Sequence, residues 1–264
     1  MQPSSPTHFF DSLGGGRFRP THSTAGPWGP TTQHLGPCSA LIARAIEIHS
    51  ANQGNKRLAR ITVEALGPVP LEEFSLALRT VRTGRRVELL EAELDVNGQT
   101  VLSARAWCLE PAPESLPSLG HRGRPTEARP DPHPLRLDGA YLDGYMTAVE
   151  WHFLKGGFDQ PGPSRFWARP TVPLLRGEPL TPWQRTLIVA DSAYGAALAL
   201  DPLEHPMINT DLTVSLFRAP QGAWVGVDSE TSVEPGGSAA NLARLFDGSG
   251  TAGHTLQSVV ALAG

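Results

Sequence analysis

The residue best placed to do chemistry in this sequence is Asp191, which interrupts an otherwise apolar helical pattern. Apolar residues recur at three- and four-residue spacing across residues 183–200, and this spacing predicts a helix with one broad apolar face. The stripe consists of Leu187, Ala190, Tyr194, Ala197 and Leu198. Because desolvating an uncompensated carboxylate costs several kcal/mol, Asp191 is a candidate functional residue. The plain alternative is that it caps a helix starting at Ser192.

The sequence lacks the short motifs of several other hydrolases and of common metal sites. No GxSxG, HExxH or CxxC motif occurs, and the nine histidines are scattered along the chain. The three glycines at 14–16 have no phosphate-loop frame around them and are predicted to form a turn. We therefore expect no serine nucleophile, no metal and no cofactor.

Charge and hydropathy limit the classes of partner. The 264 residues carry a formal net charge of -4, and the basic residues form no run, which argues against a nucleic-acid partner. No apolar stretch is long enough to cross a bilayer, and the first residues do not resemble a secretory signal, so we expect no membrane partner and a cytoplasmic location. Cys38 and Cys108 lie far apart and are predicted to be buried thiols.

The elements that must position Asp191 begin with a second predicted helix at residues 37–51. Its stripe consists of Leu41, Ile42, Ala45, Ile46 and His49. Pro37 suits the first helical turn, where its missing N–H is not needed, and Gly54 ends the helix. A short strand is predicted before this helix, around Phe18.

From residue 57 onward the hydrophobic period changes to two, which predicts antiparallel strands. They cover residues 57–66, 73–84, 85–98 and 99–109. Asn97 and Gly98 between alternating segments indicate a tight hairpin, because both tolerate positive φ. The Pro-rich stretch that follows has no period, and we assign it as a linker at 111–140 between an N-terminal domain at 1–110 and a C-terminal domain at 141–264.

The second half repeats the pattern of the first. Strands are predicted at 145–154 and 164–169 before the Asp191 helix, and at 211–218, 222–232, 238–248 and 254–262 after it. Residues 61–63 (ITV) match 212–214 (LTV), and Asn97-Gly98 is matched to Asp247-Gly248. We interpret these matches as a tandem duplication whose halves pair into one continuous sheet, which hides an edge of each.

Four segments resemble the TesB-like acyl-CoA thioesterase family, in which two hotdog domains are fused. They are residues 16–47, 166–195, 209–218 and 254–262. The family's His-Gly-Gly-Pro at the start of the first helix corresponds here to His34-Leu35-Gly36-Pro37, so the second position departs from it. The resemblance implies an α+β, tandem double hotdog fold, each half an antiparallel sheet wrapped around a long central helix.

The resemblance also implies which residues are catalytic. Asp191 matches the family's catalytic aspartate, and Gln257 matches its catalytic glutamine. The third position, usually a hydroxyl residue, is Asn209 here, with Thr210 and Thr213 near enough in sequence to substitute. Without the resemblance, Gln257 is an ordinary strand residue and Asn209 a residue at the start of a strand.

Thioester hydrolysis needs a positioned water and donors for the oxyanion, which these residue types can supply. Asp191 is expected to orient or activate the water, and Gln257 is expected to hold it. Backbone amides at a helix start, near Leu35 and Gly36 or near Ile188 and Val189, are expected to face the substrate carbonyl. His34 is a further substrate-binding candidate, with a turn or structural role as the alternative. The substrate-binding set is therefore His34, Leu35, Gly36, Ile188 and Val189.

The function implied by the resemblance is hydrolysis of an acyl-CoA to a free acid and coenzyme A. A second possibility is a protein of the same fold that binds acyl thioesters without cleaving them, because Asn209 departs from the family pattern. A hotdog dehydratase or hydratase is a poorer option, since its catalytic histidine would occupy the helix position of Asp191. Whole chains are expected to associate as a homodimer or a higher homo-oligomer.

Overall fold

A computed structural model describes residues 7–54, 56–113, 115–116, 128–132, 135, 137 and 139–262. The predicted linker at 111–140 therefore lies partly outside the described residues. In the described part of the chain, no helix is long and apolar enough to cross a membrane.

The first half contains a strand hairpin, a long helix and an antiparallel meander. Its strands are β1 (Phe10–Gly14), β2 (Arg17–Pro20), β3 (Arg57–Ala65), β4 (Phe74–Arg82), β5 (Val87–Val96) and β6 (Gln99–Leu109). Helix α1 (Leu35–Asn52) lies between β2 and β3. The four strands predicted between 57 and 109 are all present, because an alternating pattern suits a sheet with one buried face.

The second half has the same order of strands and central helix, but it adds the helical turn α2 before its first strand and divides the central helix and the following strand. Its helices are α2 (Tyr145–Ala148), α3 (Pro182–Ala190) and α4 (Ser192–Ala196). Its strands are β7 (Val149–Gly157), β8 (Gln160–Pro170), β9 (Met207–Asn209), β10 (Asp211–Leu216), β11 (Val225–Val233), β12 (Ser238–Asp247) and β13 (Gly250–Ala261).

Two predicted elements differ from the structure. The strand predicted at 145–154 starts with the helical turn α2, because the backbone N–H of Tyr145 donates to the carbonyl of Ala25 instead of joining a strand ladder. The helix predicted at 183–200 breaks at Asp191, and α4 ends at Ala196. The side chain of Gln257 donates to the backbone carbonyl of Asp191 at 3.2 Å, so that this carbonyl is satisfied outside the helix.

The strands form one continuous sheet in the described part of the chain, as the sequence predicted. The order is β1-β2-β4-β5-β6-β3-β10-β13-β12-β11-β8-β7, and β9 also pairs with β13. Outward from the central β3–β10 pair, the order is β3-β6-β5-β4-β2-β1 in the first half and β10-β13-β12-β11-β8-β7 in the second. Strands at the same place in these two orders correspond to each other. The two halves therefore join through one antiparallel pair of strands, with no edge exposed between them.

The register of the central pair has a local two-fold symmetry about Thr62 and Thr213. These residues are partners across β3 and β10, they are 151 positions apart, and their hydroxyl oxygens lie 2.9 Å apart. The same spacing relates the closing pairs of two hairpins, Val96 with Gln99 and Asp247 with Gly250. The match of Asn97-Gly98 to Asp247-Gly248 is therefore wrong by one residue, because the second turn consists of residues 248–249.

Helices α1 and α3 cover one face of this sheet and contact each other closely. A Cβ atom placed on Gly36 would lie 2.5 Å from the carbonyl oxygen of Ile188, so only glycine fits at this crossing without displacement. Gly36 is in the first turn of α1, and Ile188 is in the last turn of α3. The crossing therefore brings the beginning of α1 to the end of α3, where Asp191 follows.

Candidate active site

Asp191 is buried between the two halves of the molecule, with 3% of its surface exposed. Asp191 lies between α3 and α4, at the N-cap position of α4. Its side chain makes no capping hydrogen bond to that helix. The alternative that this carboxylate serves as a helix cap is therefore not supported. Its hydrogen bonds go instead to side chains from the sheet and to the start of α1.

The Oδ1 atom of Asp191 accepts two side-chain hydrogen bonds. Asn209 Nδ2 donates at 2.9 Å from the end of β9, and Gln257 Nε2 donates at 3.2 Å from β13. Gln257 is fully buried because its position on β13 faces the helices. Of the residues that the family resemblance places in the catalytic set, Asn209 and Gln257 thus both donate to Asp191.

The Oδ2 atom of Asp191 faces the start of α1 in the other half. The backbone N–H of Gly36 donates to it at 3.0 Å, and His34 Nδ1 lies 2.9 Å away. His34 is also the N-cap residue of α1, with Nδ1 3.2 Å from the Gly36 nitrogen. Because the N-terminus of a helix carries a partial positive charge, this end of α1 stabilises the carboxylate.

A fully buried tyrosine, Tyr145, packs against His34. The ring of Tyr145 stacks on the imidazole, with 3.6 Å between ring centroids and 9° between their planes. Its hydroxyl donates to the Ile188 carbonyl at 2.6 Å and lies 2.8 Å from Ser192 Oγ. Burial raises the pKa of Tyr145 well above its ordinary value, so its hydroxyl remains a donor. No periodic pattern marks this tyrosine, since it directly follows the irregular stretch.

One polar atom of this cluster has no partner among the described residues. Gln257 Oε1 is buried and makes no hydrogen bond in that part of the structure. Leaving such an acceptor unsatisfied costs about 1–3 kcal/mol. A water or a substrate group that reaches the cluster is thus the natural donor to this oxygen.

Two neighbouring cavities open beside the cluster. The first, of about 300 Å³, is lined by Asp191, Asn209 and Thr210 together with Leu35 and Tyr194. The second, of about 330 Å³, shares His34 and Tyr194 with it. The second cavity has a mainly apolar lining that includes Trp28, Met146, Phe158, Leu198, Leu203 and Met207. Burial, together with the charge of Asp191, raises the pKa of Tyr194, which stays neutral between the two cavities.

Some predicted site residues lie elsewhere. The hydroxyl of Thr213 contacts Thr62 on the central strand pair, and it makes no hydrogen bond to Asp191. The hydroxyl of Thr210 donates to the Ser258 carbonyl at 3.3 Å, although Thr210 lines the first cavity. The expectation that Ile188 and Val189 lie at a helix start is wrong, because α3 begins at Pro182 and these residues lie in its last turn. Leu35 and Gly36, in contrast, begin α1.

The described residues contain no group of three or more His, Cys, Asp or Glu side chains that could hold a metal ion. Within this part of the chain, the site consists of one carboxylate surrounded by His34, two side-chain amides and the Gly36 N–H. Such a group can orient a water and remove its proton, which is the requirement of hydrolysis by general base catalysis.

Comparison with solved structures shows the fold. A hot dog fold protein of unknown function from Alicyclobacillus acidocaldarius superposes with a TM-score of 0.73 at 16% identity, covering 96% of both chains. The tesB protein of Mycobacterium avium subs paratuberculosis gives 0.68 at 13% identity over 96% of both chains. An acyl-CoA thioesterase II of Mycobacterium marinum gives 0.62 at 14% identity, covering 97% of this chain and 96% of that one. The chain has the hot dog fold.

Comparison with family models covers most of the sequence. No curated protein sequence matches the chain. The model of the acyl-CoA thioesterase N-terminal domain matches residues 24–109, and the model of the acyl-CoA thioesterase C-terminal domain matches residues 113–261. Asp191, Asn209 and Gln257 fall within the second match, and His34 and Gly36 fall within the first. The chain therefore belongs to the TesB-like acyl-CoA thioesterase family.

Proposed function

We propose that this protein hydrolyses acyl-CoA thioesters to a free acid and coenzyme A, using a water oriented by Asp191. The observation that carries the proposal is the buried Asp191 carboxylate, which lines a cavity and is held by Asn209, Gln257 and the Gly36 amide. A carboxylate fixed on several sides is pre-organised as a general base, because little rearrangement is needed when it takes a proton.

In the proposed reaction, Asp191 removes a proton from the water while the water oxygen attacks the thioester carbonyl carbon. The C–O bond forms, the tetrahedral intermediate collapses, and the C–S bond breaks. The proton held by Asp191 then passes to the departing thiolate. Gln257 Oε1, which has no partner among the described residues, accepts a hydrogen bond from the same water and fixes its direction.

Asn209 takes the place of the hydroxyl residue usual in the family. Its amide nitrogen donates to Asp191 Oδ1 at 2.9 Å, as a hydroxyl could, and its amide oxygen remains available as an acceptor. The substitution therefore preserves a donor to the carboxylate. On this basis we propose that activity is retained.

The substrate carbonyl oxygen is proposed to face the start of α1. The N–H of Gly36 is already bonded to Asp191, so the backbone N–H of Leu35, at the first helical position, is the proposed donor. The positive end of the helix dipole adds to the stabilisation of the oxyanion. Ile188 and Val189 have no such role, because they lie at the other end of their helix.

We propose a tandem double hot dog arrangement with units at 1–110 and 141–264 and a linker at 111–140. The corresponding strand order of the two halves supports this arrangement. We also propose that whole chains pair through the outer face of the sheet, where the cross-strand partners Leu242 and Leu256 are 59% and 48% exposed. Sedimentation velocity of the purified chain tests this pairing, and a monomer at all concentrations contradicts it.

The experiment for the proposed function is a thiol-release assay with acyl-CoAs ranging from acetyl-CoA to stearoyl-CoA. The Asp191→Asn variant keeps the shape of the side chain but removes the base, and we expect kcat to fall by about 10²–10⁴-fold. Asp228→Asn is the matched control, because Asp228 is a surface carboxylate paired with Arg244. Full activity in Asp191→Asn contradicts the mechanism. Binding without thiol release in the wild type supports the non-catalytic alternative.

A further inference from the structure

A third cavity, of about 520 Å³, lies at the other end of the paired helices. It is lined by Trp183 at the start of α3, by Leu58 of β3 and by Leu216 at the end of β10. None of Asp191, Asn209 and Gln257 lines it. Its position follows from the antiparallel packing of α1 against α3, which leaves one such space at each end.

The local two-fold symmetry relates this cavity to the one beside Asp191. The 151-position spacing between Thr62 and Thr213 also separates Leu58 from Asn209. Leu58 pairs with Cys108 and Asn209 pairs with Val259, and these two partners are again 151 positions apart. Further lining positions of the two cavities correspond by this spacing. They are Arg57 with Ile208, Ala59 with Thr210, and Ala65 with Leu216. The two cavities are thus the two copies of one symmetric site.

The hydrolytic groups are missing from the second copy. Counted from the N-caps His34 and Thr181, the position of Asp191 corresponds to Arg44, whose guanidinium forms two hydrogen bonds with Glu178 at 2.7 and 2.8 Å. Asn209 corresponds to Leu58. Gln257 corresponds to Ala106, since Arg105 pairs with Thr62 as Leu256 pairs with Thr213. A thioester bound here therefore meets no equivalent of the Asp191, Asn209 and Gln257 set.

The charges at the second copy still suit an anionic ligand. Arg57 is exposed at the cavity and makes no ion pair with any described residue, and the nearest carboxylate oxygen to Lys56 Nζ belongs to Glu88 at 3.9 Å. Two acidic residues, Glu47 and Glu110, also line the cavity. The carboxylate of Glu47 is occupied by hydrogen bonds from the side chains of Thr181 and Gln184, each at 2.9 Å.

We propose that this cavity is a second, non-catalytic binding site for an acyl thioester of coenzyme A. The inference rests on the proposed function, because it takes the ligand class from the symmetric copy of the site. The phosphates of coenzyme A contact Lys56 and Arg57, and the acyl-pantetheine part lies against Trp183, Leu58 and Leu216. One chain therefore binds two thioesters and hydrolyses one.

The test is the binding stoichiometry of a non-hydrolysable S-alkyl thioether of coenzyme A, measured by isothermal titration calorimetry. We expect two sites per chain in the wild type. In Arg57→Glu we expect one site to weaken by about tenfold or more while thiol release from acyl-CoA stays unchanged. Arg176→Glu, the same charge change at an exposed residue outside the three cavities, should keep both sites. Circular dichroism checks that each variant is folded.

The outcomes separate this inference from the proposed function. One site per chain together with active hydrolysis overturns the second site and leaves the thioesterase intact. Two sites that are both unaffected by Arg57→Glu overturn its location. Two sites without hydrolysis reject the catalytic proposal but retain the binding site, and no binding with no hydrolysis rejects both. Displacement of the thioether from the weaker site by a free fatty acid, but not by coenzyme A, overturns the assigned ligand class.

Discussion

The carboxylate of Asp191 shows how a buried charge is accommodated in this protein. Hydrogen bonds to charged groups contribute about 1.5–3 kcal/mol each, and this carboxylate receives them from Asn209, Gln257 and Gly36. Together they are large enough to offset a desolvation cost of several kcal/mol. The same donors leave the carboxylate in one orientation beside the cavity, which is the requirement for a general base.

Asn209 is the residue at which the proposed mechanism is most directly testable. Asn209→Leu keeps the approximate volume but removes the donor to Asp191 Oδ1, and we expect kcat to fall about 10²-fold with a smaller change in KM. Asn209→Thr supplies a hydroxyl donor and is the matched control, expected to remain within about tenfold of the wild type. Steady-state thiol release measures both variants. Equal kcat in the wild type and Asn209→Leu contradicts the role given to this amide.

The residues of the candidate site differ in how far the sequence alone predicts them. Asp191 could be identified from the sequence, because a carboxylate in an apolar helical stripe is costly to bury without polar partners. Gln257 was identified only through the family resemblance, because alternation along a strand predicts which side chains are buried but does not say which of them meet. Tyr145 and its stack on His34 could not be predicted, since the contact joins residues from different halves and no local pattern encodes it.

At the scale of elements, the crossing of α1 and α3 places the donors around the carboxylate. The carbonyl of Ile188 approaches α1 at Gly36, where any Cβ atom would lie within 2.5 Å of it. The amide of Gly36 is at the same time bonded to Asp191. Helix packing and the geometry of the site therefore depend on one residue without a side chain.

Gly36→Ala should damage both stability and activity. The added methyl group forces α1 and α3 apart, and we expect the free energy of unfolding to fall by about 1–3 kcal/mol. The rate of hydrolysis should fall by more than the increase in unfolded protein accounts for, because the Gly36 amide moves away from Asp191. Gly248→Ala is the control, since a Cβ atom at Gly248 meets nothing within 4 Å. Urea denaturation and thiol release report the two effects, and unchanged values for both in Gly36→Ala are inconsistent with the described crossing.

Periodicity predicted the strands better than the helix ends. The alternation between residues 57 and 109 gave all four strands, because buried residues recur along β3, β5 and β6, whereas in β4 only Phe74 is buried. The end of the Asp191 helix was not predictable, because the break depends on Gln257, which lies 66 positions away in sequence and donates to the Asp191 backbone. The α2 turn likewise depends on a hydrogen bond from Tyr145 to the distant carbonyl of Ala25.

For the whole molecule, pH acts on stability through ion pairs such as the one between the partly exposed Arg218 and the buried Asp247. Burial disfavours ionisation of Asp247, but hydrogen bonds from Arg218 and from the backbone N–H groups of Gln221 and Ser249 outweigh burial and lower its pKa. A lowered pKa means that the carboxylate contributes stability above its unfolded pKa of about 3.9. This contribution is lost as the pH falls through the folded pKa.

Asp247→Asn should therefore destabilise the protein in a pH-dependent way. Near neutral pH we expect a loss of about 1–3 kcal/mol, because the charge-assisted hydrogen bonds from Arg218 to the carboxylate are lost. The difference between variant and wild type should shrink as the pH falls below about 4. Urea midpoints measured across the pH range check this expectation, with Asp228→Asn as a surface control. A difference that is constant down to acidic pH contradicts the assigned pKa direction.

The central strand pair has a consequence for how the active centre forms. Asp191 comes from one half and the Gly36 amide from the other, so their 3.0 Å distance depends on the alignment of β3 with β10. A slip of two residues keeps every side chain on its own face but displaces one half by about 7 Å. A chain in which β3 and β10 pair in the wrong register is thus folded and hydrogen-bonded but inactive. The hydroxyl contact between Thr62 and Thr213 forms only in the native register and therefore distinguishes the two states.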